Sequence, residues 1–306
     1  MPLSADQRDR ARGVLLATAA GDALGAGYEF GPPLPADVEV TMRGGGGFDW
    51  APGEWTDDTA MAIAIAEAAR GGDLRDEPVQ DAIVHRWLEW AEHATDVGNQ
   101  TRAVFSVLEA PTAAAARLAA QALHERTGHT AGNGSLMRTA PVALAYLDDE
   151  GALIEAAAAI SRLTHYDPEA GEACVLWCLA MRHGVLTGDL DLRAGLTRLP
   201  RDRAAAWAER LDVAERSRPA DFARNGWVVE ALQGAWSAIS GTSSLPDGLA
   251  AAVRGGRDTD TVAAIAGGLL GAVHGAAAVP DEWRALLHGW PGRRAGDLID
   301  LADALT

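Results

Sequence analysis

The chain carries a short acidic signature twice, Thr56-Asp57-Asp58-Thr59 near its N-terminus and Asp258-Thr259-Asp260-Thr261 near its C-terminus, each opening an Ala/Gly-rich run with helical character. Four carboxylates drawn into one pocket repel by about 3 kcal/mol per pair at ~5 Å and an effective dielectric of about 20, so they become neighbours only with compensating cations. A divalent metal removes that cost. Asp carboxylates with Thr hydroxyls form an oxygen donor set, which suits Mg²⁺ or Mn²⁺ better than zinc or copper. The two signatures need each other, and they favour one domain over residues 1–306.

With 306 residues the chain is long enough for one large core or two, since single cores stop growing near ~250 to 300 residues. No Pro/Gly/Ser-rich linker or charge block divides it. A hydrophobic content of 48% with 23% charged residues belongs to soluble globular proteins, and no apolar stretch approaches the ~18 residues of a membrane span. The segment MPLSADQRDRARG has no apolar region behind its charges, so a secretory signal is not expected and a cytoplasmic location is. All 26 basic residues are Arg; without Lys, neither Schiff-base chemistry nor a Walker-type phosphate lysine is available. The net charge of -17 argues against a general nucleic-acid surface, which needs a basic stripe. Cys174 and Cys178, four apart on one helix face, are expected to be buried, reduced core residues.

Helical signals dominate. In NGWVVEALQGAWSAI, Val228, Leu232, Ala235 and Ile239 lay one apolar stripe down a helix. Similar runs cover residues 6–20, 58–70, 78–94, 99–109, 111–126, 150–163, 168–186, 201–215, 260–275 and 280–289. The only extended-looking piece is Val38 to Met42. The pattern predicts an all-α, compact bundle of ten or more helices, with Ala and Gly allowing close packing. Its longest connection, from Gly31 to Trp55, is rich in Pro and Gly and leads directly into Thr56; long ordered loops usually have functional reasons.

Each acidic signature has a plainer explanation, a helix N-cap with acids facing the positive end of the dipole. Two such starts with Thr and Asp interleaved favour ligation instead. Alternation points Asp258 and Asp260 to one side, toward one cation, while Asp57 and Asp58 reach a second, an arrangement that can clamp a reacting oxygen or activate water. Gly44 to Gly47 is not a nucleotide-hydrolase phosphate loop, because no Gly-Lys-Ser/Thr follows. Gly132-Asn133-Gly134-Ser135, ahead of LMRTAPVALAYL, offers small residues and free N–H groups at a helix start, suited to a diphosphate, with an ordinary Asn-Gly turn as the alternative. Taken singly, His165 reads as a cap or packed ring, Glu29 as a surface acid and Asp96 as a turn residue.

In this order, GDALGAGYEF, GGGGFDWAPGEWTDDTAMAIAIAEA, DVGNQTR, GNGSLMRTAPVAL, THYDPEAGEACVLW and GGRDTDTVAAIAGGLLGAVHG resemble the ADP-ribosylglycohydrolase family over residues 21–275. The resemblance implies an all-α orthogonal bundle around a dinuclear Mg²⁺ or Mn²⁺ cleft that holds the distal ribose of ADP-ribose. It implies Thr56, Asp57, Asp58, Asp258, Asp260 and Thr261 as metal ligands, and Glu29 and Asp96 as two candidate acid/base groups. Asn133, Gly134, Ser135, Arg138 and His165 match substrate contacts, and Tyr166 is among the candidates for the adenine-stacking aromatic.

The reaction implied is hydrolysis of a glycosidic bond that joins ADP-ribose to a modified protein or small molecule, releasing ADP-ribose. Arginine is the preferred linkage because the Asp-Val-Gly-Asn segment resembles the arginine-specific bacterial branch, although Gln100-Thr101 departs from it. A serine-type or O-acetyl substrate is the alternative. Rival readings are a two-metal phosphoesterase and a non-catalytic ADP-ribose-binding or structural homologue, which the complete ligand set disfavours. A monomer with no membrane partner is expected.

Overall fold

The first helix starts at a capping box: the Ser4 hydroxyl accepts the Gln7 N–H at 3.2 Å, and the Gln7 side-chain oxygen accepts the Ser4 N–H at 2.9 Å. In this computed structural model, which describes residues 2–306, α1 spans Ala5–Ala26, followed by α2 (Asp57–Ala69), α3 (Glu77–Ala91), α4 (Asn99–Phe105) and α5 (Ala113–Thr127). The middle of the chain forms α6 (Ala140–Ala145), α7 (Glu150–Ser161), α8 (Pro168–Thr187) and α9 (Arg201–Arg216). The rest forms α10 (Val228–Ser240), α11 (Leu245–Arg254), α12 (Thr259–His274), α13 (Asp281–Leu286) and α14 (Ala295–Leu305). The all-α expectation holds.

Val38 to Met42 is not a strand. Its polar groups go to side chains and local turns rather than to a ladder: Thr41 N–H donates to the Tyr28 hydroxyl at 3.0 Å, the Val38 carbonyl accepts from Arg254 at 3.0 Å, and the Val38 N–H donates to the Pro35 carbonyl at 3.2 Å. The sheet among the described residues is instead a two-residue hairpin, β1 (His288–Gly289) against β2 (Arg293–Arg294), where the periodicity had suggested the tail of a helix over 280–289. The helix expected over 99–109 stops at Phe105, six residues short of Pro111. Helices α11 and α14 lie outside the expected runs.

The centre of the molecule is α1 packed antiparallel against α12. Glycines set the separation: a Cβ on Gly21 would lie 2.1 Å from the Ala263 carbonyl oxygen, and one on Gly25 2.5 Å from the Asp260 Cα. From the other side, a Cβ on Gly267 would meet the Ala17 carbonyl oxygen at 2.1 Å and one on Gly271 the Gly13 oxygen at 2.0 Å. The two backbones therefore touch along several turns. Helices α2, α6, α8, α11 and α14 pack around α1, while α8, α10 and α11 cover α12. Buried indoles are satisfied within this shell, Trp177 by the Ile265 carbonyl at 2.9 Å and Trp87 by the Met61 carbonyl at 3.0 Å. Cys174 and Cys178 on α8 are both buried and unpaired, and burial pushes both thiols up from their ordinary range. No helix among the described residues is long and apolar enough to cross a membrane.

Substituting Gly21→Ala forces a methyl into backbone atoms and is expected to cost about 2 kcal/mol or more in urea unfolding. Gly296→Ala, on α14 with nothing within 4 Å of the added carbon, is the control and should be neutral or stabilising by up to ~1 kcal/mol. Equal effects at the two sites would contradict the close seam.

Candidate active site

Helix α2 is capped by other parts of the chain. Thr56 occupies the N-cap position, yet its side chain accepts no bond from the helix. Asp22, buried on α1, takes over: its carboxylate accepts the Thr56 N–H at 2.9 Å, the Thr56 hydroxyl at 2.8 Å, the Thr59 N–H at 3.0 Å and the Thr59 hydroxyl at 2.6 Å. Asp96, on the loop before α4, accepts the Asp57 N–H at 2.9 Å. These two carboxylates satisfy donors that a local cap would otherwise hold, so Asp57 and Asp58 are free for other work.

The start of α12 follows the same logic. Asp258 is the N-cap residue but makes no side-chain cap bond. Its carboxylate instead accepts from the Asn133 amide at 2.7 Å, and that amide also reaches the Asn225 carbonyl at 2.9 Å. The buried Asn225 donates to the Gly256 carbonyl at 3.0 Å and so holds the loop before Asp258. A two-bond bridge joins this loop to the segment after α1: Phe30 N–H to Arg257 oxygen at 2.6 Å and Arg257 N–H to Gly31 oxygen at 2.7 Å. Phe30 and Arg257 both have positive φ, 63° and 66°, a conformation that costs non-glycine residues of order 1–3 kcal/mol each. The strained bridge brings Glu29 beside Asp258.

The two signatures meet. Glu29, Asp258 and Asp260 each offer a carboxylate oxygen, all within 4.8 Å of one another. The Thr261 hydroxyl lies 3.5 Å from Asp58 Oδ2, and the Thr56 hydroxyl lies 3.1 Å from the same oxygen. Asp58 Oδ1 is buried without a hydrogen-bond partner, an unpaired acceptor of the kind that ligates a hard cation. The donor set of carboxylates and hydroxyls therefore fits a hard divalent metal.

Electrostatics point the same way. Burial first, then neighbouring carboxylates, push Glu29 up to about 8 and hold Asp57, Asp58 and Asp260 well above the ordinary range. Burial raises Asp96 and Asp258 as well, and Asp22 to about 6 against its four hydrogen bonds. Acids whose pKa is higher in the folded chain than in the unfolded one favour folding below the unfolded value, near 4. That contribution is lost as pH rises through the folded values toward 8.

A cleft of about 460 Å³ lies over this cluster, walled by Glu29, Asp57, Asp96, Asp258, Asp260 and Thr261 and continuing along Asn133, Gly134 and His165. Thr56, Asp58, Ser135 and Arg138 stand behind its wall. The Ser135 hydroxyl is buried against Ser161 at 3.0 Å. Asn133–Ser135 forms a 3₁₀ turn, and the next α-helix begins only at Ala140, so the N–H groups of this segment belong to a turn and not to a long helix start.

Arg138 is fully buried, with its guanidinium 3.9 Å above the Trp87 ring, and burial lowers it to about 9. It donates to the Thr164 hydroxyl at 2.5 Å, and that hydroxyl lies 2.7 Å from His165 Nδ1. A guanidinium cannot accept, so the hydroxyl accepts from Arg138, and with a second lone pair and one proton left it pairs with Nδ1 of either His165 tautomer. Burial and the nearby Arg138 lower His165 well below its ordinary range, so the ring is neutral. Gly132 and Gly134 pass over it: a Cβ at either would come within 3.2 Å of Nε2. Gln100 ties the Thr130 and Thr164 carbonyls at 3.0 and 2.9 Å. Tyr166 packs beside His124, with ring centroids 5.9 Å apart, and does not line the cleft.

Asp22 and Asn225 escaped the sequence reading. Asp22 did leave a signal, as the sole charged residue between Arg12 and Glu29. Truncating Asp22→Ala orphans two buried N–H groups and two hydroxyls. It is expected to cost about 2 kcal/mol or more in urea unfolding and to weaken Mn²⁺ binding by about 10- to 100-fold in a titration of the folded variant. Unchanged Mn²⁺ affinity would deny Asp22 a positioning role.

Three comparisons bear on this geometry. The sequence profile described as ADP-ribosylglycohydrolase matches residues 3–306. Over 291 residues the chain is 34% identical to an ADP-ribosylarginine hydrolase of Pseudomonas putida, covering 90% of this chain and 73% of that protein. It is 30% identical to an ADP-ribosyl-[dinitrogen reductase] glycohydrolase of Rhodospirillum rubrum, covering 91% and 90%. A solved structure described as an ADP-ribosylglycohydrolase-related protein complex superposes with a TM-score of 0.73 at 29% identity, covering 98% of both chains. The match along the whole chain, on a helical frame with the paired acidic signatures converged, makes this protein an enzyme of the ADP-ribosylglycohydrolase family.

Proposed function

We propose that the enzyme hydrolyses the bond between ADP-ribose and an arginine side chain, with two Mg²⁺ or Mn²⁺ ions held by Thr56, Asp57, Asp58, Asp258, Asp260 and Thr261. The carrying observation is the convergence of both acidic signatures beneath one cleft, with an orphaned oxygen on Asp58. The relatives named for ADP-ribosylarginine support the linkage.

The distal ribose sits over the carboxylates and the diphosphate runs along Asn133 and Gly134, with the neutral His165 ring beneath the turn. A second cavity of about 520 Å³ shares Gln100, Gly132 and Gly226 with the central cleft and contains Trp227. The Trp227 indole N–H is fixed on Glu169 at 3.1 Å, and Arg224 lies 5.1 Å from the ring. Trp227 is therefore our candidate for the adenine-stacking aromatic, in place of Tyr166.

Bound divalent ions would orient the ribose hydroxyls and stabilise developing charge. The chain's own residues move the protons. Water adds to the anomeric carbon as the carbon–nitrogen bond breaks; Glu29, beside Asp258 and Asp260 and ionised once divalent charge offsets its neighbours, takes the water's proton. Asp96, raised by burial and standing at the end of the cleft away from Trp227, protonates the departing guanidine.

Matched arginine-, serine- and threonine-linked conjugates, assayed for free ADP-ribose with Mg²⁺, Mn²⁺ or chelator, test the proposal. Release from the arginine conjugate alone, lost with chelator and reduced at least 100-fold in Asp57→Ala and Asp260→Ala, is expected. Cleavage of an O-linked conjugate with the arginine conjugate untouched would overturn it.

A further inference from the structure

Beyond Asp96 the central cleft opens into a third cavity, of about 560 Å³, whose wall includes Phe48, Thr95 and Asp96 in common with the cleft and shares no residue with the cavity at Trp227. The three spaces thus form a series with the acidic cluster in the middle. A substrate whose adenine lies at Trp227 and whose reacting carbon lies over the carboxylates sends its leaving group past Asp96 into this cavity.

The lining of the cavity is selective. Trp50, Trp55, Trp90 and Trp290, four of the chain's ten tryptophans, face it. Trp55 donates to the Trp290 carbonyl at 3.1 Å, which ties the β1–β2 hairpin to the start of α2. Trp50 has a buried indole N–H with no partner in the protein. Glu54 adds a carboxylate: one oxygen accepts the Ala51 N–H at 2.8 Å, and among the described residues no Arg or His forms an ion pair with the other. Of the basic groups in the wall, Arg293 is already paired with Glu67 at 2.7 Å, His288 Nδ1–H donates to the Leu286 carbonyl at 2.8 Å, His93 packs against the Trp290 ring with centroids 5.1 Å apart, and Arg294 stands exposed. Indole side chains around an uncommitted carboxylate are the chemistry that recognises a planar, delocalised cation with several donors. A serine hydroxyl as leaving group is small and neutral and uses none of it.

We propose that this cavity is the leaving-group subsite and that Glu54 reads the guanidinium of the modified arginine, making it the residue that sets linkage selectivity. This rests on the arginine reading above. The isosteric Glu54→Gln keeps an acceptor for Ala51 and removes only the charge.

The experiment measures kcat/KM of wild type and Glu54→Gln on arginine-linked conjugate, together with their affinities for free ADP-ribose and Mn²⁺. In parallel, wild type is titrated with arginine amide and with citrulline amide, its neutral ureido counterpart. The expected result is a 10- to 100-fold lower kcat/KM for Glu54→Gln with ADP-ribose and Mn²⁺ affinities within twofold of wild type, and competition by arginine amide at concentrations where citrulline amide has no effect. A Glu54→Gln rate within twofold of wild type, or equal inhibition by the two amides, overturns the assignment while leaving the arginine reading intact. Wild type inert on the arginine conjugate removes the arginine reading itself and this inference with it. Should Glu54→Gln fail to fold, the two amides on wild type still decide.

Discussion

The backbone contact between α1 and α12 governs the rest of the molecule. Gly21, Gly25, Gly267 and Gly271 let two helices that are distant in sequence approach without side chains between them. The last turn of α1 then lies against the first turn of α12, so Asp22 and Glu29 arrive beside Asp258 and Asp260 with little freedom left. The Phe30–Arg257 bridge, with both residues in left-handed backbone, finishes the alignment. A longer separation would not merely loosen a core. It would pull the carboxylates apart and remove the site.

Placing so many acids together has to be reconciled with folding, and the chain does so by exchanging caps. Asp22 and Asp96 serve the N-terminus of α2 from other elements, while Asn133 and Asn225 hold the start of α12. Thr56 and Asp258 are consequently released from the duty that their positions at helix starts suggest. The positive ends of two helices also face the cluster and offset part of its charge. What remains is the cost of burying these acids, and after it their mutual repulsion, seen in the raised carboxyls, together with an Asp58 oxygen that has no partner.

Much of this was legible in the sequence because it was written as local pattern. The two Thr/Asp signatures and the Gly-Asn-Gly-Ser turn at Asn133 stand in short segments whose residue types point to their chemistry, Asp96 and His165 were marked only by the family resemblance, and 3.6-residue periodicity found most helices. What the sequence concealed depends on partners far along the chain. Asp22 reads as one polar residue inside an Ala-rich helix, and only the position of Thr56 and Thr59 gives it a role. Arg138 matched a substrate-contacting position, yet it lies behind the wall and acts on His165 through Thr164. Helix α11 is announced by Ser244, whose hydroxyl accepts the Asp247 N–H at 3.2 Å, with Pro246 in the first turn, a start signal outside the runs that periodicity marks. The hairpin at His288–Arg294 has two-residue strands, too short for any alternation to register.

The central claim is that the converged carboxylates are built for divalent cations and store repulsion without them. The most direct test is the thermal midpoint of chelator-treated protein between pH 5 and pH 8, repeated with Mn²⁺. The account predicts that the metal-free midpoint falls as pH rises and the cluster ionises, and that Mn²⁺ raises the midpoint strongly at pH 8 and little at pH 5, where the acids hold protons. A metal-free midpoint that stays level across this range, together with no stabilisation by Mn²⁺ at pH 8, would contradict it.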